Sequence, residues 1–177
     1  MNDNALAIEI RAALLAGLTD IGVTGVEVLA NYQPTAQGEE SGPAIYFFKV
    51  GDSPSGWQYR GPVDVSGVTK MAELRNIDTT FQFMARVAQD PTDITGPTAS
   101  DVLNMAAMIL QASSTKRTLQ SKGIGGLVIG ELRNPYFTNA SDRFEASPSF
   151  DFTVTHRRSI MKTTNVIEEI NGVTIPK

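Results

Sequence analysis

The order of helical and strand patterns predicts an α+β fold: a mainly antiparallel sheet with two helices packed on one face, extended loops and a C-terminal hairpin arm. Three observations carry this. An apolar stripe at helical spacing opens the chain, a strict two-residue alternation runs through its middle, and a second helical stripe follows a capping box.

Asn2, Asp3 and Asn4 offer N-cap oxygens for a first helix starting at about Ala5. Leu6, Ile10, Ala13, Leu14, Gly17, Leu18 and Ile21 recur at the spacing of one helix face. Gly22 and Gly25 end that pattern, and Val26 to Ala30 predicts a short strand. Asn31 to Pro43 is a polar loop. In the strand Ala44 to Val50, Ala44, Tyr46, Phe48 and Val50 share one face and Ile45 and Phe47 the other. Both faces are apolar, so this strand is either central or covered on each side, a second subunit being one possible cover.

Gly51 to Lys70 is dense in Gly, Pro, Ser and Asp and predicts an extended excursion or hairpin arm, with a weak strand around Trp57 to Arg60. Glu73 to Ala88 gives the clearest alternation: Ile77, Thr79, Phe81, Phe83, Ala85 and Val87 face one way, Asp78, Thr80, Gln82 and Arg86 the other. Thr98 and Asp101 form a capping box that opens a second helix. Its apolar arc holds Val102, Leu103, Met105, Ala106, Ile109 and Leu110, with Met108 on the polar side. Ser113 to Lys122 continues as a polar stretch with room for a short helix. Gly123 to Gly126 predicts a turn before a strand Leu127 to Arg133, and Asn134 to Ser149 a polar loop. A last core strand, Phe150 to Arg158, turns Phe150, Phe152, Val154 and His156 inward. Val166 to Ile170 and Val173 to Ile175 flank Asn171-Gly172, the dipeptide favoured in a two-residue hairpin turn. The predicted organisation is a domain over 1–158 and an extension or hairpin arm over 159–177.

At 177 residues and 41% apolar, the chain can bury one core. Its net charge of -4 shows no basic face of the kind that dominates nucleic-acid affinity. The clusters Lys116, Arg117, Lys122 and Arg157, Arg158, Lys162 read as solvated surface. Cysteine is absent, which removes disulfides, thiolate metal sites and cysteine nucleophiles. No leader pattern and no run of about 20 apolar residues appears, so a soluble protein made in the cytoplasm is expected.

Catalytic candidates are weak. His156 is the single histidine, and Asp142 or Glu145 are the carboxylates that a hydrolase reading would pair with it. Gly123-Ile124-Gly125-Gly126 precedes a strand instead of opening a helix, which does not suit a phosphate cradle. The adjacent acids Glu39-Glu40 and Glu168-Glu169 would point to opposite faces of a strand. No catalytic residue, metal ligand or cofactor is therefore predicted. Interface candidates stand beside plainer readings, since single exposed apolar residues are common and aromatics in long loops also pack local loop cores. Tyr32, Trp57 and Tyr59 lie in polar excursions, Met108 breaks the polar side of its helix, and Val166, Ile167, Ile170, Val173 and Ile175 make the terminal hairpin apolar.

Several stretches together resemble the neck (tail) terminator family of tailed bacteriophages. They are Asn31-Tyr32-Gln33-Pro34-Thr35-Ala36-Gln37-Gly38, Gly42-Pro43-Ala44-Ile45-Tyr46-Phe47-Phe48-Lys49, Trp57-Gln58-Tyr59-Arg60, the strand Thr80 to Val87 and the helix start Pro97-Thr98-Ala99-Ser100-Asp101. The resemblance runs from the first helix to about Arg158 and adds Gln33, Pro34 and Arg60 to the interface candidates. It implies a homo-oligomeric ring, a hexamer, that ends tail-tube growth and joins the tail to a head-side connector or stopper protein. Implied partners are the tail tube protein and, in contractile tails, the sheath protein. Genome DNA passes through the lumen without specific binding, no membrane is involved, and the protein resides in the virion. Other readings are a connector or tail-tube component and, in a different class, a small hydrolase using His156.

Overall fold

The computed structural model describes residues 1–30, 42–87, 95–138, 144–163, 169–170 and 173–174. Helix α1 runs Asp3–Asp20, capped by Asn2, whose side chain accepts from the Ala5 amide at 2.8 Å. Leu6, Ile10, Ala13, Leu14 and Leu18 are buried on its inner face. Ile21, expected to extend this stripe, is instead exposed at the helix C-cap. Strand β1, Glu27–Ala30, then enters the sheet parallel to β2, Ala44–Val65, the one parallel pair among the described strands.

The five-stranded order is β1-β2-β3-β7-β4, with β3 Val68–Arg86, β4 Ile124–Ile129 and β7 Ser149–Thr163. Over 44–47 strand β2 is flanked on both sides, by β1 and β3, the first of the two alternatives the sequence allowed; beyond that its outer edge has no strand partner among the described residues. Between β4 and β7 lies a small separate hairpin, β5 Tyr136–Thr138 with β6 Phe144–Ala146, inside the stretch expected to be loop. A terminal pair, β8 Glu169–Ile170 with β9 Val173–Thr174, forms a third sheet.

Helices α2, Ala99–Gln111, and α3, Ser113–Ser121, pack with α1 on one sheet face. The Thr98/Asp101 capping box is complete: Asp101 N–H donates to Thr98 Oγ1 at 3.1 Å and Thr98 N–H to Asp101 Oδ2 at 2.9 Å. Gly17 of α1 lets the two helices touch, since a Cβ there would overlap the Ile109 side chain.

The core is built by strand register. Phe47 lies opposite Phe83, and Phe83 opposite Phe150, so the three rings stack in a row with centroids 4.9 and 5.1 Å apart. Phe81 and Phe152 form the next rung. The other sheet face is mixed: Tyr46, Phe48 and Met84 are half-buried on it, and polar side chains bond across strands, Thr80 to Thr153 at 2.9 Å and Thr155 to Asp78 at 2.6 Å. A sheet covered on one side gives this alternation.

One sequence expectation fails at the glycines. Gly125 and Gly126 are not a turn ahead of the strand; they lie inside β4 as a bulge, which begins at Ile124. Gly126 has a φ of 57°, and a Cβ on it would collide with the Thr155 side chain.

Candidate interaction surface

Strands β2 and β3 do not stop where the helices stop. They continue as one hairpin, whose tip Val65-Ser66-Gly67-Val68 has both central residues at positive φ, 54° and 78°. That turn matches the twist of the strands it joins, and the Asp64 carboxylate accepts from the Gly67 amide at 2.7 Å. Strand β7 runs alongside β3 as far as Thr163, opposite Lys70, so the arm is three-stranded. At roughly 3.3 Å per residue, its outer part, measured along Val68 to Ile77 of β3, spans about 30 Å.

Burial changes abruptly along these strands. Past Thr79 and His156, only Gly61 and Ala72 are buried among the described arm residues. They face each other in register, and the Tyr59 ring lies over Gly61. Trp57 is 98% exposed, Ile160 60% and Tyr59 52%; Met161, Val68 and Met71 are also exposed. Trp57 and Tyr59 come together on one face with Leu74, Asn76 and Arg157. Arg60 lies opposite Glu73, on the face where Gln58 donates to Glu73 at 2.7 Å and where Ile160 and Arg75 line a groove beside the first turn of α1. Neither long edge of the arm has a strand partner among the described residues, because β1 pairs only 44–47 and β4 only 152–156. Unpaired edges and bare apolar side chains are what a strand-adding partner uses.

A charged cluster holds the base of the arm. Lys49 donates to Asp3 at 2.8 Å and also pairs with Asp52, and Arg158 pairs with both acids. Burial works to raise the Asp52 pKa, but hydrogen bonds from Lys49 and Thr79 and the nearby cations outweigh it and hold it low. For Lys49, burial works downward and its two carboxylate partners prevail, raising it.

Behind this cluster sits His156, 2% exposed. The Thr79 hydroxyl donates to Asp52 Oδ1 at 2.7 Å, so it accepts from His156 Nε2 at 2.9 Å. The proton is therefore on Nε2, and Nδ1 has no partner among the described residues. Burial first, then the Arg158 charge, push its pKa below the ordinary value. The carboxylate reached through Thr79 is Asp52, not Glu145 or Asp142; Asp142 lies outside the described residues. The ring is sealed from solvent on β7, in register with Ile77 of β3 and Ile124 of β4.

The other interface candidates are scattered. Met108 is 73% exposed on α2, on the helical body and apart from the arm. Ile170 and Val173 pair with each other in β8–β9. Tyr32, Gln33, Pro34, Val166, Ile167 and Ile175 lie outside the described residues. Sequence reasoning missed Ile160, Met161 and the basal cluster. Alternation through Ser159-Ile160-Met161-Lys162 could have extended the last strand; the cluster joins residues as far apart as Asp3 and Arg158 and leaves no local spacing.

A body covered on one face carries an open-edged arm, and the class the chain falls in is that of phage tail and neck proteins. The chain belongs to the family of the E217 gateway protein gp29, whose family model matches residues 5–166. Among solved structures, the sheath/tube terminator of an extracellular contractile injection system (PVC), in its extended state, is similar at 15% identity with a TM-score of 0.49. That alignment covers 96% of this chain and 64% of the other, so the chain spans about 64% of that protein's length. No curated protein matches the chain.

Proposed function

We infer that this chain is a tail terminator: copies close into a ring, six being the expected number, that stops growth of the tail tube. In this reading the ring joins the tail to the head-side connector or stopper protein and, in a contractile tail, also meets the sheath protein. Genome DNA slides through the lumen without being held. The chain does no covalent chemistry, and its place is the virion neck, reached after assembly in the host cytoplasm.

The observation that carries this reading is the arm. A three-stranded ribbon whose long edges have no strand partner among the described residues, and on which Trp57 is almost wholly uncovered, offers backbone edges and apolar side chains for other chains to complete. Membership of a gateway protein family supports a position at the junction of tail and head. The candidate contacts are Tyr32, Gln33, Pro34, Trp57, Tyr59, Arg60, Met108, Val166, Ile167, Ile170, Val173 and Ile175, with the segment 159–177 acting as an extension of the 1–158 domain.

Tail assembly with the chain left out tests this directly. Electron microscopy should show tubes of uncontrolled length that do not attach to heads, and added purified chain should restore both properties. Tubes of normal length that attach without it would end the proposal. Purified chain stacking into long tubes by itself would instead make it a tube protein.

A further inference from the structure

Strands β2 and β7 are the two outer edges of the arm, and their register decides which of them can take another strand. On the β4 side of β7, Ser149 accepts from the Arg133 amide at 2.8 Å and Asp151 from the Gly130 amide at 2.7 Å. Farther along, the Arg157 carbonyl accepts from the Met1 amine at 2.7 Å. Odd-numbered residues of β7 therefore turn their peptide groups away from β3, and even-numbered residues turn theirs toward it. Beyond Arg157, Ser159, Met161 and Thr163 present N–H and C=O outward, and the ladder to β3 runs through them without a register shift. No strand pairs with them among the described residues, since β4 stops at His156.

The same alternation, carried across β3, leaves positions 54, 60, 62 and 64 of β2 facing outward. Two of those four are Pro54 and Pro62, which have no N–H to donate. Between Ser55 and Tyr59 the bulge breaks the repeat as well. The β2 edge thus resists an added strand, whereas 149–163 of β7 contains neither proline nor glycine.

Side chains narrow the occupant. Ile160 and Met161 stand exposed, one on each face of the ribbon. Arg158 is paired with Asp3 and Asp52, but Arg157 and Lys162 have no acid partner among the described residues. A second copy of this edge, laid antiparallel and centred on Ile160, would set Lys162 opposite Arg158, and like charges in that position repel. On a strand that fits, a carboxylate lies opposite Lys162 and an apolar side chain opposite Ile160, two residues away on the same face.

We propose that the edge from Ser159 to Thr163 receives, as an added strand, an extended segment of another virion protein with an acidic residue two positions from an apolar one. The inference rests on the tail-terminator reading and deepens it, naming the edge of the arm that makes a joint and the kind of segment that completes it. The β2 edge is left to side-chain contacts.

Ser159→Pro removes one outward N–H and keeps the bonds to β3, as Pro54 and Pro62 do on the opposite edge; Ser159→Ala keeps the N–H and loses only the hydroxyl. Each full-length variant replaces the parent during tail assembly. Ser159→Pro should lower the amount of chain at tail ends about tenfold, and Ser159→Ala should stay within about twofold of the parent. Parent-like recovery of Ser159→Pro, or equal loss in both variants, would overturn the proposal. A photoreactive benzophenone at position 160 gives a second reading that does not depend on how Ser159→Pro folds. After irradiation of assembled tails, mass spectrometry should find position 160 bonded to another virion protein, in a peptide that carries Asp or Glu beside an apolar residue. A bond to a second copy, to DNA or to nothing would count against it. Any of these failures in tails of normal length that end in this chain leaves the terminator reading standing; absence of the parent chain from tail ends removes both.

Discussion

Body and arm are made from the same three strands, β2, β3 and β7, yet they follow opposite burial rules. On the body, alternate residues Phe47, Phe83, Phe150 and Phe152 are sealed beneath three helices. On the arm, Trp57, Tyr59, Ile160 and Met161 stand in solvent. Continuous pairing does not therefore imply continuous burial: the inner half of each strand makes the core, and the outer half leaves its edges without a strand partner among the described residues and its large side chains in solvent. The cluster of Asp3, Lys49, Asp52 and Arg158 marks the border, tying the arm to the first turn of α1.

Substitutions on the two sides of that border should separate stability from assembly. Phe83→Ala removes the middle ring of the stack and should cost about 3–5 kcal/mol, read as a drop in the chemical denaturation midpoint. A loss below about 1 kcal/mol would mean the row of rings is not the core. Thr79→Val strips a partner from both His156 and Asp52 at the border and should cost about 1–3 kcal/mol by the same measurement.

The border also gives a pH signature. The folded pKa of His156 lies below the ~6.5 of an unfolded histidine. A depressed folded value means its stabilisation is complete above about pH 6.5 and is lost as pH falls through the folded value. Asp52, also depressed, adds loss in the same direction at lower pH, below the carboxylate's ordinary range. The thermal midpoint should fall from pH 7 to pH 5, and His156→Gln should flatten that slope. An equal slope in the variant would place the titrating group elsewhere.

Smaller effects sharpen the contrast further. Thr98→Ala removes the α2 cap and should lower stability by about 1 kcal/mol, with assembly otherwise intact. Trp57→Ser should change stability by no more than about 0.5 kcal/mol while reducing recovery in tails. A Trp57→Ser chain that unfolds more readily but joins normally would reverse the roles assigned to the two regions.

Body elements were legible from sequence because their chemistry is local and periodic. The stripe Leu6, Ile10, Leu14, Leu18, the alternation from Ile77 to Ala85 and the Thr98–Asp101 box each encode one element, and each is found. The arm was harder to read. Period-two alternation arises where one face is buried and the other wet, and between Asp52 and Arg60 no residue is buried. Ser53-Pro54-Ser55-Gly56 accordingly looks like a loop, although Ser53, Pro54 and Ser55 pair with Asp78, Ile77 and Asn76 and Gly56 opens a bulge that ends at Tyr59. The end of β7 was missed because Arg157-Arg158 resembles a strand terminus, whereas both residues continue the ladder opposite Asn76 and Arg75. The parallel entry of β1 and the bulge at Gly126 depend on tertiary neighbours. Trp57 and Tyr59 were legible as candidate contacts because large aromatics among polar residues stand out; Ile160 and Met161, hidden behind an assumed terminus, did not.

Amide hydrogen exchange compares the two regions in one experiment. Measured on the free chain and on the chain bound at the end of tail tubes, it reports the opening of each strand separately. The account predicts that amides of 56–65 and 157–163 slow by at least about tenfold on assembly, about 1.4 kcal/mol of local opening free energy, while those of 81–85 and 150–154 stay as protected as before. Arm amides that exchange equally fast in both states would contradict the claim that this ribbon is completed by other chains.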